Sequence, residues 1–476
     1  MPFSSQWLAN PGVTYEIDNS CRFNSGDSAY TGAASPTPTS ERIFTFSFWF
    51  KRGKLGTRMN IWSNERDDGA ATMGEIEFQA DDTIRWKSES AAGANIFDRQ
   101  TNAVFRDPAA WYHVVCVCDS NQTDSTSADI YVNGVVQTYS STTNPGSAQD
   151  LGWPSTSQPF EVGKFTTAAH YLDGYLAHFY FIDGQKLTPS DFGETNSTTG
   201  QWVPKAYGGT FGNAGLFLDF SVAPGTGDGA GTDSSGNDND LTDSGLAAAD
   251  QVTDSPTDNY CVFNLLDTND SPTFAEGNLE YTGTAAAANC RGTVGVDIND
   301  GNGYYFEILW VSSTANCDIG IQEVSANINT FPTSAGGNAY MIASYDGNKR
   351  NNGSDVSYGT SYSTGDIFQV AMKGGKIWFG KNNTWQASGD PAGDSNEAFS
   401  SVTGIYAPAV MENNTDAPCV FVADFGQSGF EYTPPSGFVA LSTANIATPT
   451  IADPSAYFQP TIYTGNGSTQ SIDQGG

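Results

Sequence analysis

Positive charge is scarce in this sequence: 20 Lys and Arg stand against 53 Asp and Glu, a formal balance of −33 over 476 residues. Fourteen of the twenty cations precede residue 230 and only six follow it. Affinity for a phosphate backbone or an anionic membrane surface is therefore excluded as a main activity, above all in the second half. Apolar runs reach only about eight residues, too short for a membrane span. No basic and then apolar leader follows Met1, so neither membrane insertion nor a signal peptide is expected.

Cysteine is sparse and odd in number, with residues 21, 116, 118, 261, 290, 317 and 419. That is no disulfide framework. Cys116 and Cys118 share one face of a strand, no second pair completes a zinc site, and both are expected as buried small apolar residues. A reducing compartment fits, which leaves the Asn-X-Ser/Thr sequons without weight. Nucleotide-binding glycine motifs are missing, and Ser28 in "SGDSAY" has no His-Asp set to make it a nucleophile.

What is present is aromatic and turn-forming. Aromatics make up 13% of the chain, and its 52 glycines accompany many Ser, Thr and Asn, a balance that suits short strands and tight turns. In "ERIFTFSFWFKRG" Phe44, Phe46, Phe48 and Phe50 fall on one face and Thr45, Ser47 and Trp49 on the other, so one face is core. Asn133-Gly134 between two β-rich runs predicts a hairpin, and Asp183-Gly184 is expected to repeat that device. Sustained helical periodicity is missing, which argues for antiparallel sheets stacked face to face.

The chain divides by composition. Residues 1–39 are an N-terminal segment with the first strands, 40–222 a first strand-rich domain, and 223–257 a Gly/Asp/Ser-rich stretch expected to be a linker. Residues 258–440 are a second strand-rich domain, and 441–476 an extended tail or connector rich in Thr, Pro, Ala and Ser.

The strand motifs carry a resemblance. "WYHVV" (111–115), "IYVNGV" (130–135), "VGKF" (162–165), "LDGYLAHFYFIDGQKL" (172–187) and the following "TPSDFG" resemble, in order, a laminin-G-like or concanavalin-A-like jelly roll. "GYYFEI" (303–308), "DIGI" (318–321), "GDIFQVAM" (365–372), "GGKIWFGKNN" (374–383), "YAPAV" (406–410) and "ADFGQ" (423–427) resemble a SPRY domain, itself a concanavalin-A-like sandwich. The expected fold is all-β, two tandem antiparallel β-sandwiches with an extended C-terminal tail. The tandem resembles the tail-fibre or lectin-like structural proteins of marine bacteriophages. That resemblance implies a virion component that attaches to a host-surface glycan or protein, contacts other virion proteins, and forms a homo-oligomer, a trimer if it is a fibre. It brings no catalytic residues.

Individual residues sharpen these expectations. His178 is expected to share a strand face with Leu176, Tyr180 and Ile182, with Tyr175, Ala177, Phe179 and Phe181 opposite. The related jelly rolls commonly hold an acid near this place. A zinc site is not expected, since His170 is eight residues from His178 and His113 lies on another strand. The resemblance admits calcium as the one cofactor, with Asp173, Asp228, Asp233, Asp238 and Asp240 as candidate ligands, although "DSSGNDND" equally suits Asx turns. Rings beside amides and carboxylates suit sugars. Trp378, Asn382, Asn383, Trp385, Tyr345 and Asp346 are the candidates for ligand contact. The rival reading is a glycan hydrolase or lyase with Glu75 and Glu77 on one strand face; its third acid is missing, because position 80 is Ala.

Overall fold

The computed structural model describes residues 15–64, 73–90, 92–124, 126–151, 159–165, 170–284, 288–312, 316–330, 334, 336–412, 418–447 and 465–471. Most of the expected tail, 448–464 and 472–476, and residues 1–14 of the N-terminal segment lie outside them. Among the described residues there is no α-helix, and none is long and apolar enough to cross a membrane. The chain is all-β, as the alternation of its aromatics predicts.

Four eight-stranded sheets form two sandwiches. In the first, the Phe44 sheet runs Val135–Val136, Ala128–Val132, Trp111–Asp119, Ile43–Arg52, Gly174–Asp183, Ser20–Phe23, Gln251–Val252, with Leu216–Leu218 also beside Gly174–Asp183. The Trp86 sheet facing it runs Tyr139–Thr143, Asn95–Val104, Thr83–Glu89, Met73–Phe78, Met59–Ser63, Pro159–Val162, Tyr30–Ala34, Thr242–Ser244. Between them the four phenylalanines of the first strand bury completely. Phe46 packs at 4.6 Å from Trp62, Phe44 at 6.1 Å from Trp86 and Phe50 at 4.9 Å from Phe78. Burying such a side chain contributes about 1.5–3 kcal/mol, which pins the strand's register.

The second sandwich is built the same way from a sheet centred on Cys317–Glu323 and Ile405–Glu412 and another centred on Gly303–Ser312 and Ile367–Lys373. Its core holds Phe306, Ile319, Phe368, Val410 and Phe421. Cys317 and Cys419 form a disulfide between its two sheets, a pairing the odd count concealed; Cys21, Cys116, Cys118, Cys261 and Cys290 are free and buried.

The expected linker is not one. Within 223–257, Thr242–Ser244 pairs with Tyr30–Ala34 and Gln251–Val252 with Ser20–Phe23, so the stretch completes both sheets of the first sandwich. Leu241 and Ala230 enter its core. The acidic, glycine-rich composition serves local turns: the Asp243 carboxylate accepts from the Ala230 and Gly231 amides at 2.8 and 3.1 Å. Such side-chain acceptors hold tight backbone turns without any apolar signal.

Asn133-Gly134 forms the expected hairpin, with φ of 48° and 78° between the paired Val132 and Val135. Asp183-Gly184 does not. Asp183 ends its strand, and its carboxylate accepts from the Ser40 and Ala214 amides, both at 3.0 Å.

The alternation expected around His178 also fails, and the cause is a bulge. The pairing of Gly174–Asp183 with Ile43–Arg52 shifts between Ala177 and Tyr180, and His178 has φ of 46°. One extra residue reverses the faces. Leu176 is in the core before the bulge and Phe179 and Phe181 after it, while Tyr180 and Ile182 turn outward. His178 packs edge-on against Phe217 at 5.0 Å, and burial lowers its pKa to about 4.

Candidate functional site

The outer face of the Phe44 sheet should be polar, yet Trp49 and Trp111 stand on it with His113. They come from two neighbouring strands in register, Trp49 opposite His113 and Lys51 opposite Trp111. A third indole, Trp202, arrives from the short hairpin of Gly193–Thr195 and Trp202–Pro204. Trp202 lies flat on the Asn133-Gly134 turn and on Gly193: a Cβ at either glycine would fall 2.6 Å from its ring, so only glycine admits the indole.

Trp49, His113 and Trp202 form a stack. His113 lies 4.7 Å from Trp49 at 24° and 6.0 Å from Trp202 at 21°. The Trp202 Nε1–H donates to His113 Nδ1 at 2.9 Å, and Ser47 Oγ lies 2.8 Å from His113 Nε2. Burial lowers the His113 pKa to about 3, so the imidazole stays neutral.

The segment that joins the two sandwiches supplies the opposite wall. Lys51, wholly buried, reaches across and donates to Asp254 Oδ2 at 2.7 Å, Asn259 Oδ1 at 2.7 Å and the Tyr260 carbonyl at 2.9 Å. Asp254, equally buried, also accepts the Trp111 Nε1–H at 3.1 Å. Asn259 donates its amide to the Ala109 carbonyl at 2.6 Å, and Thr443 Oγ1 accepts from the Asn259 N–H at 2.9 Å. A cleft of about 430 Å³ results, lined by Trp49, Trp111 and Trp202, by Asn133 and Gln201, and by Pro256, Asn259 and Thr443 across the junction. Ligand sites favour such junctions, with apolar and aromatic walls and a few polar groups.

The residues singled out from the sequence lie elsewhere. Trp378 is fully buried, with its Nε1–H donated to the Ser395 carbonyl at 2.8 Å and its ring against Phe438, so it is no ligand contact. Ile377 and Phe379 take the inner face of that strand, leaving Trp378 to a second, smaller core. Asn382 and Asn383 form the next turn with φ of 48° and 64°, and Asn382 Nδ2 donates to Asp366 at 2.6 Å. Trp385 is half-buried against Tyr305. Tyr345 is exposed, and Asp346 caps its own loop by accepting from the Asn348 amide. Gly359 donates to the Gly347 carbonyl and Thr360 to Gln386 Oε1, so these two loops meet through residues 359–360.

The five aspartates are not assembled. Asp233 accepts from Phe217 N, Ser235 N and Oγ, and Asn239 N; Asp240 accepts from Asp233 N; Asp173 accepts from Ser25. Asp228 and Asp238 are exposed. Among the described residues no group of three or more His, Cys, Asp or Glu could hold a metal ion. Asp233 makes an Asx-type turn through the Ser235 amide instead.

Glu75 and Glu77 face outward from the Trp86 sheet but are completely buried. Arg58 bridges both, Lys87 Nζ lies 2.9 Å from Glu75, and Asn60 donates to Glu75 at 2.8 Å. Burial, then the neighbouring Glu75, raises the Glu77 pKa to about 7. Neither carboxylate has exposed surface among the described residues, whereas the hydrolase reading requires the pair to face an open groove.

Trp49, Trp111 and Trp202 were not singled out from the sequence. Their signal is nevertheless present: Trp49 occupies the solvent-side register of a strand whose other face is all phenylalanine.

The outer face of the first sandwich and the segment joining the two sandwiches thus enclose a cleft lined by three indoles. Residues 24–191 match the family model of the concanavalin A-like lectin/glucanases superfamily, Laminin_G_3. No curated protein matches the chain. Among solved structures, the chain is similar to the SPRY domain of human HERC1, at 19% identity over 34% of this chain and 96% of that one, with TM-score 0.28. It is also similar to a SAP-like pentraxin from Limulus polyphemus, at 16% identity over 37% and 80%, with TM-score 0.28. A putative carbohydrate binding protein from Bacteroides ovatus is similar at 15% identity over 48% and 58%, with TM-score 0.34.

Proposed function

We propose that this chain is a non-enzymatic carbohydrate-binding protein whose ligand lies in the Trp49–Trp111–Trp202 cleft. The cleft itself carries the reading. Its volume falls within the roughly 300–1,000 Å³ of small-ligand sites, and its lining sets the half-buried Trp202 and the edges of Trp49 and Trp111 beside amide and hydroxyl groups. Sugars match that mixture, because their C–H faces stack on rings while their hydroxyls bond amides. The superfamily match over residues 24–191 supports the same class of ligand. No carboxylate lines the cleft, so general acid or base chemistry has no group there.

The setting that the sequence resemblance implies is a bacteriophage virion, where a fibre or surface decoration would use the cleft to attach to a host glycan. Antibody labelling of purified particles tests that setting.

A glycan array probed with the full chain and with Trp202→Ala tests the binding itself. Binding by the parent and at least about a tenfold loss in the variant is expected, equivalent to about 1.4 kcal/mol. An array silent for the folded parent would reject the reading.

A further inference from the structure

We infer that the ligand of the tryptophan cleft is an uncharged saccharide, bound without a metal ion. This inference rests on the carbohydrate reading above and narrows it to one chemical class.

None of the residues lining the cleft is Asp, Glu, Lys, Arg or His. The charges directly behind it, Lys51 and Asp254, have wholly buried side chains and pair with each other at 2.7 Å. A charged ligand would lose its hydration and meet no counter-charge in return. Beyond the cleft, the chain's balance of −33 repels an anionic polysaccharide at longer range.

The polar atoms of the lining point the same way. The indole N–H groups of Trp111 and Trp202 are committed to Asp254 and His113, behind the cleft wall. Trp49 and Trp111 are only 4% and 9% exposed, so the half-buried Trp202 is the ring that offers carbon to the C–H face of a pyranose. Asn259 is also committed, through Oδ1 to Lys51 and through Nδ2 to Ala109. Asn133 accepts the His113 backbone amide through Oδ1, which leaves its Nδ2 amide to donate to a ligand hydroxyl. Hard cations need several oxygen ligands, mostly carboxylates. The cleft has no carboxylate, and no cluster of three candidate ligand side chains exists among the described residues.

The test is calorimetric titration of the full chain with length-matched hexose oligosaccharides, neutral in one series and bearing uronic acid or sulfate in the other, each in calcium and in EDTA. Neutral oligosaccharides are expected to bind, their charged counterparts at least about tenfold more weakly, with no change in EDTA. Trp202→Ala should weaken neutral binding at least about tenfold, while Trp202→Phe, which keeps a ring, retains most of it. Equal or tighter binding of the charged series, or loss of binding in EDTA, would overturn this inference and leave the carbohydrate reading standing. Silence in both series would overturn both.

Discussion

Trp202 donates its indole N–H to Nδ1 of His113 at 2.9 Å, and that one bond fixes the state of the imidazole. An indole nitrogen only donates, so Nδ1 carries no proton. The proton sits on Nε2 and is donated to Ser47 Oγ at 2.8 Å. The hairpin ring of the cleft is thus tied to a strand ring by a hydrogen bond that only the neutral histidine can accept.

A pH dependence follows. His113 is neutral in the fold down to about 3, whereas its ordinary pKa is 6.5. Its contribution to stability is full above 6.5 and declines as pH falls toward 3, because the unfolded chain takes up the proton first, at up to about 1.4 kcal/mol per pH unit. His113→Phe keeps the stack on Trp49 but removes the acceptor. Urea denaturation across this window should show a shallower slope in the variant than in the parent, and saccharide affinity should fall. His178, lowered to about 4, contributes the same sign and keeps the slope from vanishing. Equal slopes in parent and variant would show that His113 is not buried in neutral form.

The junction between the sandwiches depends on Lys51 and Asp254, both without solvent exposure. Removing one partner leaves a buried charge unpaired, which costs roughly 3–5 kcal/mol. Lys51→Met should lower stability by about that amount and also weaken ligand binding, since Lys51 holds Asn259 of the cleft wall. Lys51→Met with Asp254→Leu should recover part of the loss, and a double-mutant cycle by urea unfolding measures the coupling. Additive effects would contradict the pairing.

Residues 223–257 should behave as core rather than linker. Leu241 is 3% exposed within the first sandwich, so Leu241→Ala is expected to cost roughly 2–5 kcal/mol. A substitution in a true linker would stay within about 0.5 kcal/mol. Limited proteolysis of the native chain should also spare this stretch.

Legibility tracked how locally each feature is encoded. The Phe44–Phe50 alternation and the Asn133-Gly134 turn are local patterns, and both read correctly. His178 was misplaced because a bulge adds one residue without changing composition, and every later side chain changes face. The 223–257 stretch misled for a related reason: carboxylates that accept backbone amides look like solvated loop. Trp378 is a candidate by sequence because it stands beside the Asn382-Asn383 amides, while the segment around Phe438 that covers it lies sixty residues on. The cleft was hidden most deeply, since Trp49, Trp111, Trp202 and Asn259 meet only through pairings across the whole chain. Only the outward position of Trp49 hinted at it.

Glu77 gives the sharpest separation between structure and chemistry. Its pKa rises from 4.5 to about 7 through burial and the adjacent Glu75. A carboxyl whose folded pKa is raised contributes stability that is full below 4.5 and lost as pH rises through 7, opposite in sign to the two histidines. Glu77→Gln, an isosteric amide, has no such titration. The stability difference between parent and variant should therefore shift against the parent by on the order of 1–3 kcal/mol from pH 4.5 to 8 and stay flat above it. Because Glu77 lies outside the tryptophan cleft, saccharide affinity should be unchanged in the variant. If the parent cleaved a glycan and Glu77→Gln abolished that cleavage, the pair would be catalytic and the non-enzymatic reading would fall.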